Sequence, residues 1–218
     1  MSTEYLNTNL IFKDRRDAGK QLAEKLLSYN LTNSVIIALP RGGVSVAKPI
    51  ADILHGELDI MVSKKIGAPG NPELAIGAVT SRGDYVLATY LNHELGDRKW
   101  EYIQEQIGYL VNDCKEREKN YRMNRETYAY DGQNIILVDD GTATGMTALA
   151  AIKSIKKQNP STITLAIPVI SHEAYEEIKK QVDRIETLKI PRDFTAVGIH
   201  YEDFTPVGDE EIKELLSG

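Results

Sequence analysis

The sequence predicts an α/β protein in which a parallel sheet is flanked by helices. Short apolar runs rich in β-branched residues alternate with stretches that repeat apolar residues at helical spacing. Two of the apolar runs open into glycine-containing loops that lead into helices, as strands of a parallel sheet do. The 218 residues suit one domain with a two-sided core. We expect residues 1–218 to form that domain, with its core over about 15–190.

The first half of the chain is predicted to hold two strands, two helices and a ribbon. Ala18, Leu22 and Leu26 recur at helical spacing after Asp14, a residue type that caps helices. Continuous apolar runs indicate buried strands, and turn residues bound the ribbon. The predicted elements are a helix at Arg15 to Leu27, a strand at Ser34 to Leu39, a helix at Val44 to Leu54 with Pro49 in its first turn or at a kink, a strand at Leu58 to Ser63, and a two-stranded ribbon of Glu73 to Val79 and Tyr85 to Thr89.

The second half repeats the alternation of strand and helix. A long helix is indicated where Trp100, Ile107 and Cys114 fall on one stripe opposite a charged face. This amphipathic helix could pair with the same helix of a second copy to form a homodimer. The predicted elements are that helix at Asp97 to about Arg125, strands at Asn134 to Val138, Thr162 to Ile170 and Arg184 to Lys189, and helices at Ala148 to Lys157, Glu173 to Gln181 and Asp209 to Leu216.

Composition excludes several classes of protein. Hydrophobic residues make up 42% of the chain and charged residues 27%, as in ordinary globular proteins. The formal net charge of −6 disfavours nucleic acid and anionic membrane surfaces as partners. A single cysteine, Cys114, excludes an internal disulfide, and no apolar run is long enough to cross a bilayer. Because the N-terminus also lacks a secretory signal pattern, we expect a cytoplasmic protein.

The most informative segment follows the apolar run Asn134 to Val138. Two adjacent carboxylates, Asp139 and Asp140, precede a stretch of glycine and threonine that leads into a predicted helix. Backbone amides and hydroxyls at a helix N-terminus suit a phosphate. Carboxylates would repel a phosphate, and we therefore expect them to accept hydrogen bonds from sugar hydroxyls. The segment predicts a site for a sugar phosphate.

Other phosphate-binding and catalytic motifs do not fit. A Walker loop needs four residues between its glycines and then Gly-Lys-Ser/Thr, whereas three residues separate Gly141 from Gly145 and no lysine follows. The dinucleotide fingerprint and the Gly-x-Ser-x-Gly elbow are both missing. The histidines show no metal-ligand spacing. These points argue against an ATPase, a dehydrogenase, an esterase and a histidine-bound metal site.

The stretch VDDGTATGMT resembles the phosphoribosyl pyrophosphate (PRPP) signature of type I phosphoribosyltransferases. FKDRRDAGKQLAEKL, ALPRGGVSVA, KKIGAPGNPELAIGAV and HYEDFTPVGDEEI are similar to a poorly assigned group of predicted phosphoribosyltransferases. The resemblance implies transfer of ribose 5-phosphate from PRPP to a nitrogenous base or related acceptor, with release of pyrophosphate. It also implies magnesium, bound as the PRPP complex.

The resemblance also implies roles for individual residues. Asp139 and Asp140 would hold the ribose hydroxyls, and Arg82 would lie in the flexible loop that closes over the reacting centre. The 5-phosphate would be held by Gly141, Thr142, Ala143, Thr144, Gly145, Met146 and Thr147. The pyrophosphate would be held by Arg41, Gly42, Gly43, Lys64 and Lys65. No general base is assigned.

The acceptor half of the reaction is less defined. Hypoxanthine-type members carry a carboxylate at the position of Ala143, so the resemblance implies a different acceptor. Acceptors contact a variable hood over the sheet edge, for which Pro191 to Pro206 is the candidate here. Phe194, Tyr201 and Phe204 could stack on a flat ring.

Other functions are compatible with the same residues. A sensor that binds PRPP or a nucleotide without catalysis would keep the sugar-phosphate site, although Arg41, Lys64 and Lys65 favour an enzyme, because a sensor of a monophosphate needs no pyrophosphate site. Hydrolysis with water as acceptor is a third alternative. A scaffold that used the loops only structurally would have no affinity for PRPP.

Overall fold

The fold was analysed in a computed structural model, which describes residues 5–7, 9–29, 31, 34–88, 97–123 and 125–217. These residues form a mixed α/β structure with a parallel central sheet, as predicted. The helices are α1 (Arg15–Leu26), α2 (Gly42–Leu54), α3 (Asp97–Arg122), α4 (Met146–Lys156), α5 (His172–Ile178) and α6 (Asp209–Ser217). The strands are β1 (Ser34–Ala38), β2 (Glu57–Ile60), β3 (Ser63–Ala68), β4 (Asn71–Thr80), β5 (Tyr85–Leu87), β6 (Asn134–Val138), β7 (Thr162–Val169) and β8 (Arg184–Lys189).

The parallel sheet has the strand order β2-β1-β6-β7-β8. Strands β1 and β6 are neighbours in register from Ser34 opposite Asn134 to Ala38 opposite Val138. Every residue of β1 is buried, as expected for a strand covered by helices on both faces. Residues of α1, α2, α3 and α6 pack on one face, and residues of α4 and α5 pack on the other. Since β1 and β6 end at the same edge, the loops that follow them lie side by side.

The apolar run Leu58 to Ser63 was predicted as one strand, and that prediction is wrong. Strand β2 ends at Ile60, and β3 begins at Ser63 in a separate antiparallel sheet with the order β3-β4-β5. Met61 and Val62 are buried at the junction, so the run stays apolar while the backbone leaves one sheet for the other. The predicted ribbon is accordingly a three-stranded sheet, and Thr89 lies outside the described residues.

Pro49 lies in the interior of α2, which begins at Gly42, two residues before the predicted start. The chain after β8 runs as an irregular segment with one 3-10 turn at Val197–His200, and α6 follows it. The segment before α1 lies alongside, because Phe12 forms a parallel bridge with Tyr201. Of the helices formed by the described residues, none combines the length and apolar character that a membrane crossing requires.

Candidate functional site

The two glycine-containing loops touch at the edge of the parallel sheet. A Cβ built on Gly42 would lie 1.8 Å from Oδ2 of Asp140, and one built on Gly43 would lie 2.8 Å from the carbonyl oxygen of Val138. The peptide bond between Pro40 and Arg41 is cis. The absence of a side chain at both glycines lets the loop after β1 pack directly on the acidic pair after β6. The structure therefore brings the predicted pyrophosphate loop and the predicted ribose carboxylates together.

The loop from Gly141 to Thr147 is held in shape by its own hydrogen bonds and by α5. The Thr142 amide donates to the carbonyl of Val169 (3.1 Å), and the Gly145 amide donates to the Thr142 hydroxyl (2.9 Å). Ser171, the N-cap of α5, donates from its hydroxyl to the carbonyl of Ala143 (2.6 Å). These bonds fix the chain just ahead of the first turn of α4.

Gly145 adopts a left-handed conformation with φ of 71° and leads into Met146, the first residue of α4. The first N–H groups of a helix have no intrahelical acceptor, and they carry the positive end of the helix dipole. Ala143 and Thr144 are exposed at the same point of the loop. The arrangement can bind an anion with backbone donors, as the predicted phosphate cradle requires.

Asp139 and Asp140 are partly buried, and their surroundings affect the pKa of each carboxyl differently. Burial raises the pKa of both carboxyls, and the charge of Asp140 raises the pKa of Asp139 further, well above the ordinary aspartate value. A hydrogen bond and the charge of Arg15 oppose the rise for Asp140. The rise in the pKa of Asp139 is opposed less strongly. Its Oδ1 accepts a hydrogen bond from the Asp140 amide (2.9 Å), and Lys65 and Arg15 lower its pKa through their charges.

Arg15 is a residue of this site that the sequence patterns do not single out. Its Nε donates to Oδ2 of Asp140 at 2.8 Å, and its Nη1 donates to the carbonyl of Thr205 at 2.9 Å. The FKDRRDAG segment contains Arg15, but its acidic partner is 125 positions away, and no local spacing rule connects them.

The predicted pyrophosphate cations fall into separate environments. Lys64 pairs with Asp113 of α3, whereas Lys65 is exposed and its charge lowers the pKa of Asp139. Successive residues of a strand point to opposite faces, which explains why two adjacent lysines separate. Arg41 lies 3.8 Å from Oδ1 of Asp209 through its Nη1, and both side chains are about half exposed. Exposed pairs of this kind are weak, and Arg41 is therefore free to turn to an anion.

The structure does not bring Arg82 to the two loops. Its guanidinium lies over the ring of Tyr130, 4.7 Å from the centroid. The neighbouring Asp84 accepts a hydrogen bond from Ser154 (2.8 Å) near the end of α4. With a rise of about 1.5 Å per residue, Ser154 is about 12 Å along the helix from Met146.

The three aromatic residues of the predicted hood pack against neighbouring side chains, with Tyr201 buried and Phe194 and Phe204 half-buried. Tyr201 is 6% exposed, and its ring lies 5.1 Å from Phe12 and 5.0 Å from Phe204 by centroids. Phe204 also supports the Arg15 guanidinium at 3.8 Å, and Phe194 packs 5.7 Å from the ring of His200. These contacts use ring faces that were predicted to stack on an acceptor, so the aromatic cluster builds the wall of the site.

The residues present fit magnesium that arrives with PRPP. Within the part of the chain that the structure describes, no three His, Cys, Asp or Glu side chains come together to hold a metal. Mg²⁺ usually keeps several waters and binds through substrate phosphates, so a metal bound as the PRPP complex needs no such cluster of side chains.

A comparison with family models gives a match over residues 1–203 to the phosphoribosyl transferase domain. The chain belongs to this family. The resemblance carried by VDDGTATGMT and the other segments is thereby confirmed. Two Mycobacterium tuberculosis proteins with phosphoribosyl transferase in their names are 34% identical over 212 residues, which cover 94% of this chain and 46% of each relative. The chain thus spans about half the length of these curated relatives.

Solved structures support the same architecture for this family member. A Thermus thermophilus protein, TT1426, is 40% identical and superimposes with a TM-score of 0.81, covering 95% of this chain and 98% of its own. The Aquifex aeolicus protein AQ2163 is 12% identical with a TM-score of 0.53, covering 93% of this chain and 85% of its own, and that likeness concerns the fold alone.

Proposed function

We propose that the protein is a phosphoribosyltransferase that transfers ribose 5-phosphate from PRPP to a nitrogenous acceptor with release of pyrophosphate. The observation that carries this proposal is the contact between the Pro-Arg-Gly-Gly loop and the Asp139-Asp140 pair, seen in the 1.8 Å approach of a Gly42 Cβ to Asp140. PRPP carries a 5-phosphate, a ribose diol and a pyrophosphate on one sugar. The phosphate loop, the acidic pair and the glycine loop provide three adjacent groups of suitable chemistry.

The donor would be held mainly by backbone amides and the two carboxylates. The N–H groups at the start of α4 would bind the 5-phosphate, and Asp139 and Asp140 would accept hydrogen bonds from the ribose hydroxyls. These contacts would place C1 of the ribose against the loop after β1. Catalysis would then rest on alignment of the acceptor nitrogen with C1 and of the leaving oxygen on the opposite side.

Departure of pyrophosphate leaves positive charge on the sugar and negative charge on the leaving group. The Gly42 amide would stabilise the developing anion, with Lys65 and Arg41 as the mobile cations, whereas the Gly43 amide donates to the carbonyl of Leu39 (3.2 Å) and would serve by leaving room for the anion. Magnesium, bound as the PRPP complex, would neutralise part of the pyrophosphate charge.

A PRPP or nucleotide sensor is the second candidate. The observation that favours it is that Tyr201 is buried and that the Arg15 guanidinium lies over the ring of the half-buried Phe204, which leaves little ring surface to stack on a base. A sensor would bind the donor with the same loops and transfer nothing.

The test is incubation with PRPP and Mg²⁺, adding one nitrogenous acceptor at a time, with assay of both pyrophosphate and the phosphoribosylated product. Acceptor-dependent release of both, lost in an Asp139→Asn/Asp140→Asn variant, is the result we expect. PRPP binding with no pyrophosphate release for any acceptor supports the sensor. Release of pyrophosphate without an acceptor indicates hydrolysis.

A further inference from the structure

Arg15 touches two parts of the chain that are far from it in sequence, the acidic loop at Asp140 and the C-terminal segment at Phe204 and Thr205. At the first residue of α1, its guanidinium bonds to the Asp140 side chain (2.8 Å) and to the Thr205 carbonyl (2.9 Å), and it lies on the ring of Phe204 (3.8 Å). The Arg15 side chain is 11% exposed and that of Asp140 is 16% exposed. A planar guanidinium that is stacked on one face and bonded along its edge keeps a fixed orientation.

Both the backbone and the side chain of Asp140 accept a hydrogen bond from a neighbouring side chain. Its carbonyl accepts from the hydroxyl of Tyr201 (2.6 Å), while its Oδ2 accepts from Arg15. Among the described residues, no other side chain donates a hydrogen bond to this carboxylate. Fixing one carboxylate oxygen leaves the other available to a ligand hydroxyl.

The loop after β1 leaves little room for another arrangement. A Cβ on Gly42 would meet both partners of the ion pair, at 1.8 Å from Oδ2 of Asp140 and 2.9 Å from Nε of Arg15. The pair therefore fills the space between the Pro-Arg-Gly-Gly loop and the acidic loop. A shift of Arg15 would displace Asp140 and loosen the contact between the loops.

We propose that Arg15 is a positioning residue, which orients the Asp140 carboxylate for the ribose of PRPP and couples that carboxylate to the C-terminal segment at Phe204 and Thr205. This inference rests on the proposed function. It gives the segment after β8 a role in donor binding, whereas the sequence assigned that segment to the acceptor.

The ionisation of Asp140 offers a readout that a merely structural role would not move. The charged or titratable groups that act on this site are Arg15 from α1, the adjacent Asp139, Lys65 from β3 and Tyr201 from the C-terminal segment. Arg15 lowers the pKa of Asp140 against the effect of burial. Without its charge, Asp140 would stay protonated to a higher pH, and a protonated carboxyl accepts hydrogen bonds less well.

The experiment compares PRPP affinity from pH 5 to 9 in the wild type, Arg15→Gln, Arg15→Lys and Arg16→Gln. Arg16 is the matched control because it is exposed and, within the described ranges, bonds to no protein acceptor. We expect Arg15→Gln to bind PRPP about tenfold more weakly at pH 7 and to move the midpoint of the pH profile upward, because the charge of Arg15 no longer lowers the pKa of Asp140. Arg15→Lys should keep the midpoint near that of the wild type while still losing affinity, because it retains the charge without the second donor and the flat stacking surface.

The outcomes distinguish a failure of the role of Arg15 from a failure of the proposed function. An Arg15→Gln protein with wild-type affinity and midpoint would overturn the role of Arg15, as would equal losses in Arg15→Gln and Arg16→Gln. An absence of PRPP binding in the wild type itself would instead contradict the proposed function. If Arg15→Gln does not fold, the Arg15→Lys profile still decides, because unchanged affinity in that folded variant would remove the need for a stacked guanidinium that bonds to both Asp140 and Thr205.

Discussion

At the scale of single residues, Asp139 is a carboxyl group that the fold makes costly to ionise. Burial and the charge of Asp140 raise its pKa above the ordinary value of about 3.9. A raised pKa in the folded state means that the stabilising contribution of the protonated form is complete below the unfolded pKa. That contribution is lost as the pH rises through the folded pKa. A ligand that donates hydroxyl groups to the carboxylate would offset the cost.

Replacement of Asp139 by asparagine should therefore stabilise the ligand-free protein near neutral pH. We expect the Tm of Asp139→Asn to exceed that of the wild type by about 2–4 °C for each kcal/mol gained, and the difference to grow as the pH rises. Thermal unfolding across pH measures this effect. The exposed Asp131→Asn variant is the control, and a Tm for Asp139→Asn below that of the wild type at neutral pH would contradict the assignment.

Gly42 is the residue on which contact between the loops depends. A methyl group there would meet Asp140 and Arg15, and the ion pair would have to shift. Gly42→Ala should lose about 1–3 kcal/mol of stability and most of its PRPP affinity. The matched control is Gly108→Ala in α3, where the new methyl group meets nothing within 4 Å and should stabilise the helix by about 1 kcal/mol. Wild-type PRPP affinity in Gly42→Ala would show that the two loops do not act together.

At the scale of elements, β3 directs Lys64 and Lys65 to opposite faces of its sheet, because successive side chains of a strand alternate between the two faces. Lys65→Ala should weaken PRPP binding about tenfold, because it removes the exposed cation next to Asp139. Lys64→Ala should leave PRPP affinity unchanged, because its partner is Asp113 on α3. Titration of both variants with PRPP and Mg²⁺ measures the contrast, and equal effects of the two changes would contradict it.

Sequence patterns predicted the elements where periodicity and burial agree. Strands β6 and β8 have the predicted bounds, since each is a stretch of strand-forming residues that stays in one sheet from its first residue to its last. The division between β2 and β3 could not be predicted, because the buried Met61 and Val62 keep the run apolar across a change of sheet. Periodicity reports burial and carries no information on which sheet covers a residue.

Parts of the candidate site that are contiguous in sequence could be predicted, and contacts between distant positions could not. The loop residues Asp139 to Thr147 are contiguous, and their chemistry is readable from the sequence alone. The Arg15 contact joins distant positions, and it requires the tertiary structure. Aromatic residues in a sequence predict a surface for ring contacts but do not show what contacts it. In the structure, the tilted rings of Tyr201 and Phe204 pack against each other, and Phe204 also packs on Arg15.

At the scale of the whole molecule, the fold joins two strand-loop-helix units into one edge. The neighbouring strands β1 and β6 carry the glycine loop and the acidic loop. The start of α1 and the segment after β8 contact the acidic loop through Arg15 and Tyr201. The family match covers residues 1–203, which contain every one of these groups. The two loops of the proposed donor site therefore lie within the family domain, and the partners of Arg15 at Phe204 and Thr205 lie just beyond it.

The measurement that tests the central claim most directly is thermal unfolding with and without PRPP and Mg²⁺, for the wild type and Asp139→Asn/Asp140→Asn. PRPP at about 100 times its Kd should stabilise the wild type by about 2.7 kcal/mol, which corresponds to about 5–10 °C in Tm. We predict a Mg²⁺-dependent shift of this size in the wild type and none in the double variant. The absence of a shift in the wild type, or an equal shift in both proteins, would contradict the assignment of PRPP to this site.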